Sequence, residues 1–536
     1  MDESKDGTAA STPAPSGRPV HEGITSDPTL AVPQWLLARY NARVLDPAKA
    51  VRVARQPVLR PTVYLADKLI VSGEANDSVR DELTEAARDK GLRIEPPLEH
   101  VKQRERLVSA ARTAGRPDAD SRFTTLHALE PVDGVAVVAD AWDVLQTFRA
   151  RESVDPKDHR HVGLDHLLTS TKYTHPSPFV SQSNSEPQAT SSYGQPGWGG
   201  RQPVKLVGPP PVRRADPGCR RPVVAVLDTG VGEHDWFPLQ PETVVHRNQQ
   251  VHGVSLGLGE PSQTEVTGVI QHPLEGVLDP YSGHGTFIAG LIHQECPDAD
   301  ILSIRVMPSE GAVPEHVLLD ALNLLVCRQH DALVNGHPED LVDIVSLSLG
   351  YYHEQLGAAA LDPLIYAPIR ALGEMGVVVV VSAGNDATSR PMFPAAFTPY
   401  PGGYVEQPEV GCVPVISVGA RNPDGSIALF SNDGPWVTCA MPGAALVSTF
   451  PKFNASGQAA YGLHGPSGWR STIDPDSFRS GFGVWSGTSF AAPVLAGQLA
   501  QTLVDGSSGS TDDVTPEAML ERGWAAVAAR GLVKKP

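Results

Sequence analysis

A basic excess is missing from this sequence. Lys and Arg number 43 against 61 Asp and Glu, giving a formal net charge of −18 at pH 7. Proteins that bind nucleic acid neutralise phosphates with a basic patch, so this balance argues against that class of partner. An acidic surface reports solubility and modest repulsion of anions. Long apolar runs are missing too. The most apolar stretch, Gly376 to Ala383, falls far short of the ~20 residues that span a membrane, and it reads as a buried strand. The opening residues, MDESKDGTAASTPAPSG, are polar and acidic and lack the apolar centre of a secretory signal, so a cytoplasmic protein with no membrane partner is expected. Cysteine is sparse and odd in number: Cys219, Cys296, Cys327, Cys412 and Cys439, with no CxxC or Cys/His cluster. That pattern speaks against zinc and suits free thiols in a reducing compartment. No dense run of Asp and Asn oxygen ligands is visible, so no calcium site is predicted.

What is present is core material and punctuation. Hydrophobic residues make up 41% of 536, enough for a sizeable core in two to four domains on a soft length prior. Fifty Gly and 49 Pro imply many turns and long loops. Residues 1–57 are rich in Pro, Ser, Asp and Arg and read as a disordered segment. Residues 58–150 read as a small α/β unit. Val63 to Val71 is a strand. Asn76 to Lys90 is an amphipathic helix with Val79 and Leu83 on one face, capped by Gly91. Leu92 to Ile94 and Phe123 to Leu129 are further strands. Asp140 to Ala150 is a helix with Trp142, Leu145 and Phe148 as a core stripe. Residues 151–215, with SQSNSEPQATSSYGQPGWGG and GPPPVRR, read as a linker. From 216 to 536 strands and helices alternate, the pattern of a mostly parallel sheet between helical layers. Its predicted strands are Val223–Leu227, Ile301–Val306, Ile344–Leu349, Val377–Ser382 and Val415–Gly419. Helices follow near 285–294, 315–329, 363–375 and 489–504, and Thr515 caps a last one.

Three short segments carry chemistry. A serine hydroxyl attacks only with a base in reach, and that base needs an orienting carboxylate. Asp228 directly follows the strand VVAVL and precedes Thr-Gly. In parallel sheets reactive groups collect at such carboxyl ends. His284 lies between two glycines in SGHGTFIAG, where a helix begins. Ser489 lies in SGTSFAAPVLAG and opens an apolar helix, whose N–H groups can stabilise an oxyanion. Singly, each has a plain alternative: a cap after a strand, a capping or core histidine, a serine N-cap. The serine is not in a G-x-S-x-G elbow, since Ala491 replaces the second glycine.

Together the segments VAVLDTGV, GHGTFIAG and GTSFAAPVLAG, in the order Asp, His, Ser, resemble the subtilase (S8) family over residues 216–505. The resemblance implies a subtilisin-like three-layer α/β domain and a serine endopeptidase with Asp228, His284 and Ser489 as its triad. It acts on protein or peptide substrates and its chemistry needs no metal or organic cofactor. Asn385, in VVVVVSAGND, matches the family's oxyanion-hole asparagine. Ser348, Leu349 and Gly350 match the strand that pairs with substrate. FSNDGP, residues 430–435, is assigned to packing. Two stretches, Val251 to Pro273 and Phe450 to Phe482, look like insertions that decorate the cleft rim. Subtilase propeptides are small ferredoxin-like domains that chaperone and inhibit. Residues 58–150 are compatible with that role, and equally with a retained domain that binds a regulatory partner. In the first case the linker holds the processing site. An intracellular maturation or regulatory protease is the expected function, with a latent or non-catalytic binding scaffold as the alternative.

Overall fold

A computed structural model of the chain describes residues 27–28, 30, 32–53, 58–170, 201–206, 209–241, 243–259, 268, 278–355, 364–453, 463–470, 478–506 and 515–536. The large unit is built on a parallel sheet. Its strands are β6 (Val223–Asp228), β7 (Val245–His246), β8 (Asp300–Arg305), β10 (Ile344–Leu347), β11 (Val378–Ser382), β12 (Ile416–Arg421) and β13 (Cys439–Pro442). Their order is β13-β12-β11-β10-β6-β8-β7, every neighbour parallel.

Successive side chains on a strand point to opposite faces. Val224, Val226, Ile344, Val378, Val380, Ile416 and Val418 fall in one apolar cluster, with α5 (His284–Glu295) and α8 (Thr488–Asp505). Ala225, Leu227, Val345, Leu347, Val379 and Val381 fall in the other, with α6 (Glu315–Asn335) and α7 (Tyr366–Glu374). Covered on both faces, these strands read as unbroken apolar runs, which is why they were legible in sequence. A last helix, α9 (Pro516–Ala529), starts at Thr515, whose side chain accepts the Ala518 N–H as expected. From β6 the chain builds β7 and β8 on one side, then crosses to β10 on the other. Strand order therefore reverses at β6, and the crevice at its carboxyl end is where α/β sheets bind ligands.

The small unit is an antiparallel sheet of β2 (Val63–Val71), β3 (Leu92–Glu95), β4 (Thr125–Pro131) and β5 (Val162–Thr169), in the order β5-β2-β4-β3. That order, with α2 (Asp77–Asp89) and α4 (Ala141–Ala150) as crossovers, follows the ferredoxin-like plan, with α3 (Leu98–Thr113) added between β3 and β4. α2 and α4 cover one face through Val79, Leu83, Trp142, Leu145 and Phe148. On the other face Ile70, Leu126 and Leu168 join Leu107, Val108 and Ala111 of α3 in the same cluster as Leu318 and Leu322 of α6. The two units thus share a core.

Two assignments need correction. The segment read as disordered to residue 57 contains α1 (Gln34–Tyr40) and β1 (Ala42–Val44), which pairs with β2. The linker of 151–215 contains β5, an integral strand of the small sheet, so that unit extends to Thr169. Residues 171–200 of that linker lie outside the described residues, as do parts of both rim insertions. The described ends of the second insertion are core: Phe450, Phe453 and Phe478 are buried against α5.

Leu107, only 1% exposed, ties the small unit to the large one. Leu107→Ala should cost about 2–5 kcal/mol and speed proteolysis of the small unit. Leu98→Ala on the same helix, where Leu98 is 66% exposed, should change stability by no more than about 0.5 kcal/mol. Paired denaturant titrations check both.

Candidate active site

Asp228 is the last residue of β6, and Thr229 and Gly230 turn the chain away from the sheet. Gly285, the second residue of α5, packs on that turn so tightly that a Cβ would sit 2.3 Å from the Gly230 carbonyl oxygen. Gly283, at φ 81°, delivers the chain into the helix, and a Cβ there would strike the Phe450 ring. Thr229 Oγ1 accepts the Gly285 N–H at 3.0 Å, and Thr286 Oγ1 accepts that of Gly232 at 2.9 Å. The small residues and threonines of the two motifs therefore lock the start of α5 onto the end of β6.

The lock brings His284 to Asp228. Nδ1 lies 2.8 and 2.9 Å from the two carboxylate oxygens. Oδ1 also accepts the Thr229 N–H at 2.7 Å. A carboxylate only accepts, so Nδ1 carries a proton, and in the neutral ring Nε2 is the atom with the lone pair. Nε2 is buried and has no hydrogen-bond partner. Tyr281, Trp485 and Phe490 surround the ring.

Ser489 is the second residue of α8 and is fully buried. Its N–H has no acceptor within the helix. Four residues on, Pro493 lacks the N–H that would have bonded the Ser489 carbonyl. Ser348 supplies the missing donor, its hydroxyl 2.9 Å from that carbonyl oxygen. Ser348 thus supports the helix turn that carries Ser489. Leu349 is buried in the core. Among the described residues, Gly350 alone of the three pairs with an extended segment through its backbone.

Asn385 follows β11. Its Oδ1 accepts the Thr488 N–H at 2.8 Å and the Thr488 hydroxyl at 3.0 Å. A backbone N–H can only donate, so the amide orientation is set and Nδ2 faces away from Thr488. Nδ2 is buried without a partner. Asn432, in the segment assigned to packing, positions this loop. It donates to the Ala383 carbonyl and accepts the Asp386 N–H, both at 2.9 Å.

The segment at Gly350 is the end of β5, inside the supposed linker. Thr169 exchanges both backbone hydrogen bonds with Gly350, at 3.0 and 2.9 Å. On its other side β5 pairs antiparallel with β9 (Ala312–Pro314). The Ser170 N–H reaches the Gly311 carbonyl at 3.3 Å, and the Ser170 carbonyl accepts the Ser489 hydroxyl at 3.1 Å. The serine is therefore bonded to a peptide carbonyl and not to His284. Ser170 and Thr169 were missed in sequence, and no local signal marks them.

One buried charged group joins the units beside this strand. His166 of β5 places Nδ1 2.6 Å from Glu315 Oε2 and Nε2 3.0 Å from Glu354 Oε2. Burial opposes charge on the ring, but the two carboxylates outweigh it and push its pKa up to about 10. Asp165 and His316 pair alongside at 2.7 Å. His166, His353 and Glu354 are the one group of metal-ligating type among the described residues. Both His166 nitrogens are already given to glutamates, which describes an ion pair.

Two outcomes follow. Ser348→Ala strands the buried Ser489 carbonyl and should cost about 1–3 kcal/mol in denaturant titration. Ser346→Ala, which removes a buried hydroxyl without a partner, should cost less. His166 has a raised pKa in the folded chain, so its contribution is full below the ordinary 6.5 and fades as pH rises towards 10. The stability margin of wild type over His166→Gln, measured from pH 6 to pH 10, should shrink across that window.

Residues 220–520 match the Subtilase family, peptidase S8. An intracellular serine protease of Paenibacillus polymyxa is 27% identical over 236 residues, covering 42% of this chain and 54% of that protein. The major intracellular serine protease of Bacillus subtilis (strain 168) is 26% identical over 238 residues, covering 42% and 56%. The chain spans about half the length of these relatives. A cold adapted subtilisin-like serine proteinase of known structure is 19% identical, with a TM-score of 0.34, covering 62% of this chain and 88% of that one. No helix among the described residues is long and apolar enough to cross a membrane. The family match spans more than half of the chain and contains Asp228, His284, Asn385 and Ser489, and the chain belongs to the subtilase family.

Proposed function

We propose that the chain is a serine endopeptidase acting on protein or peptide substrates, and that its N-terminal unit occupies the cleft until the chain is cut close to Ser170. One observation carries this reading: the hydroxyl of Ser489, beside the bonded Asp228–His284 pair, donates to the carbonyl of a peptide strand seated between Gly350 and β9. Strand addition of this kind is how extended peptides bind sheet edges.

In the proposed reaction His284 Nε2 takes the Ser489 proton as Oγ attacks the scissile carbonyl. Asp228 holds the imidazole tautomer and offsets the imidazolium charge. Asn385 Nδ2 and the Ser489 N–H stabilise the oxyanion, and Asn385 Nδ2 is without a protein acceptor before reaction. His284 then protonates the leaving amine, and water resolves the acyl-enzyme by the reverse route. No metal or organic cofactor takes part. The sealed site favours a latent enzyme over a scaffold, since a scaffold has no use for a poised base and amide. Release of the N-terminal unit, by cleavage or by a regulatory partner, is then the activating step. We place the enzyme in the cytoplasm, in a maturation or regulatory role. Its five cysteines are all free thiols, which suits a reducing compartment, and two relatives are named as intracellular.

Intact mass and fluorophosphonate labelling of wild type and Ser489→Ala test this reading. Wild type should take the label and lose an N-terminal fragment ending near Ser170, while the variant should keep full mass and stay unlabelled. A labelled or self-cleaving Ser489→Ala chain would remove Ser489 as nucleophile. Asn385→Ala should lower turnover by about 10²–10³, the loss seen in subtilisin on removing such a donor, with little change in KM.

A further inference from the structure

The pocket that holds His166 is not used by the triad. The two segments that line it are those that grip the backbone of β5. Glu315 opens α6 directly after β9, and Glu354 lies on the segment that begins at Gly350. Tyr351 of that segment stacks on the His166 ring, with centroids 4.4 Å apart. The pocket is therefore an extension of the cleft along the strand, with two carboxylates on its walls and an aromatic floor.

Those carboxylates are buried, and buried acids without a cation are costly. Two basic groups of the large unit, His353 and Arg390, lie near them, but the side-chain hydrogen bonds to both carboxylates come from His166. His353 sits 3.6 Å from Glu354, but burial pushes its pKa down to about 4, so it is uncharged. Arg390 donates to the His353 carbonyl within the large unit, and its other partners, Asp27 and the Pro61 carbonyl, belong to the N-terminal unit. His166 and Arg149, which act on Glu354 as cations, belong to the N-terminal unit and depart with it. The emptied pocket then presents Glu315, Glu354 and the Tyr351 face to the next strand that enters, an environment that suits a cation.

We infer that this pocket is a specificity subsite for a cationic side chain of the substrate, Arg, Lys or protonated His, in the place that His166 holds when Ser170 meets Ser489. The inference rests on the endopeptidase reading and adds to it a substrate class: polypeptides with a basic residue upstream of the cut, at the spacing of His166 from Ser170. A neutral residue there leaves both carboxylates unpaired in the complex, and discrimination by unpaired buried groups is large.

The test uses full-length wild type after self-processing. Four quenched fluorescent peptides span residues 160–178 of its own sequence. They carry His, Arg, Leu or Glu at position 166. The Arg peptide should exceed the Leu peptide in kcat/KM by about ten- to hundred-fold, with the Glu peptide poorest. In a chain carrying Glu315→Gln and Glu354→Gln the Arg-to-Leu ratio should fall towards one. Equal kcat/KM for the Arg and Leu peptides with wild type overturns the subsite and leaves the endopeptidase reading standing. Failure to cut any of the four removes that reading and the subsite with it. The wild-type comparison stands whether or not the double variant folds.

Discussion

The backbone pairing of residues 167–170 with β9 on one side and Gly350 on the other is the constraint to which the rest of the molecule answers. It joins β9 of the large unit to the sheet of the small one. It aligns α3 against α6 so that both units draw on one apolar cluster. It also carries the Ser170 carbonyl to the Ser489 hydroxyl and buries His284 and Ser489 to 1% exposure or less. The crevice at the carboxyl end of β6, where such folds bind ligands, is filled by the chain's own strand.

Within the crevice, polar groups fall into two kinds. Some are spent on structure: Ser348 on the carbonyl freed by Pro493, Thr229 and Thr286 on the α5–β6 junction, Asn432 on the loop after β11. Others are buried and unspent, namely His284 Nε2 and Asn385 Nδ2. Unpaired buried polar atoms destabilise a fold. In the proposed reaction these two atoms are the base and the oxyanion donor, so the cost falls at the site that would use it.

What could be read from the sequence follows from where the physics is local. β6, β10, β11 and β12 are buried on both faces, so their apolar runs announce them. Asp228, His284, Asn385 and Ser489 lie at strand ends and helix starts framed by glycines and threonines that the junction requires. β5 was not legible because Asp165 and His166 break its apolar pattern. Their partners, His316, Glu315 and Glu354, come from the other unit roughly 150 to 190 residues away. α3 was missed for a related reason: its first half faces solvent, and only Leu107, Val108, Ala110 and Ala111 meet the core. The support that the Ser348 hydroxyl gives the Ser489 carbonyl was not legible, because the effect of Pro493 shows only when the helix is built.

Hydrogen exchange at the amides of Val313 and Gly350 tests most directly whether the end of β5 fills the cleft as a substrate strand would. In an uncut Ser489→Ala chain both amides should be strongly protected. In wild type that has lost its N-terminal fragment, the Gly350 N–H loses the Thr169 carbonyl and should exchange orders of magnitude faster. Fast exchange of Gly350 in the uncut chain, or unchanged protection after the fragment has gone, would contradict the account.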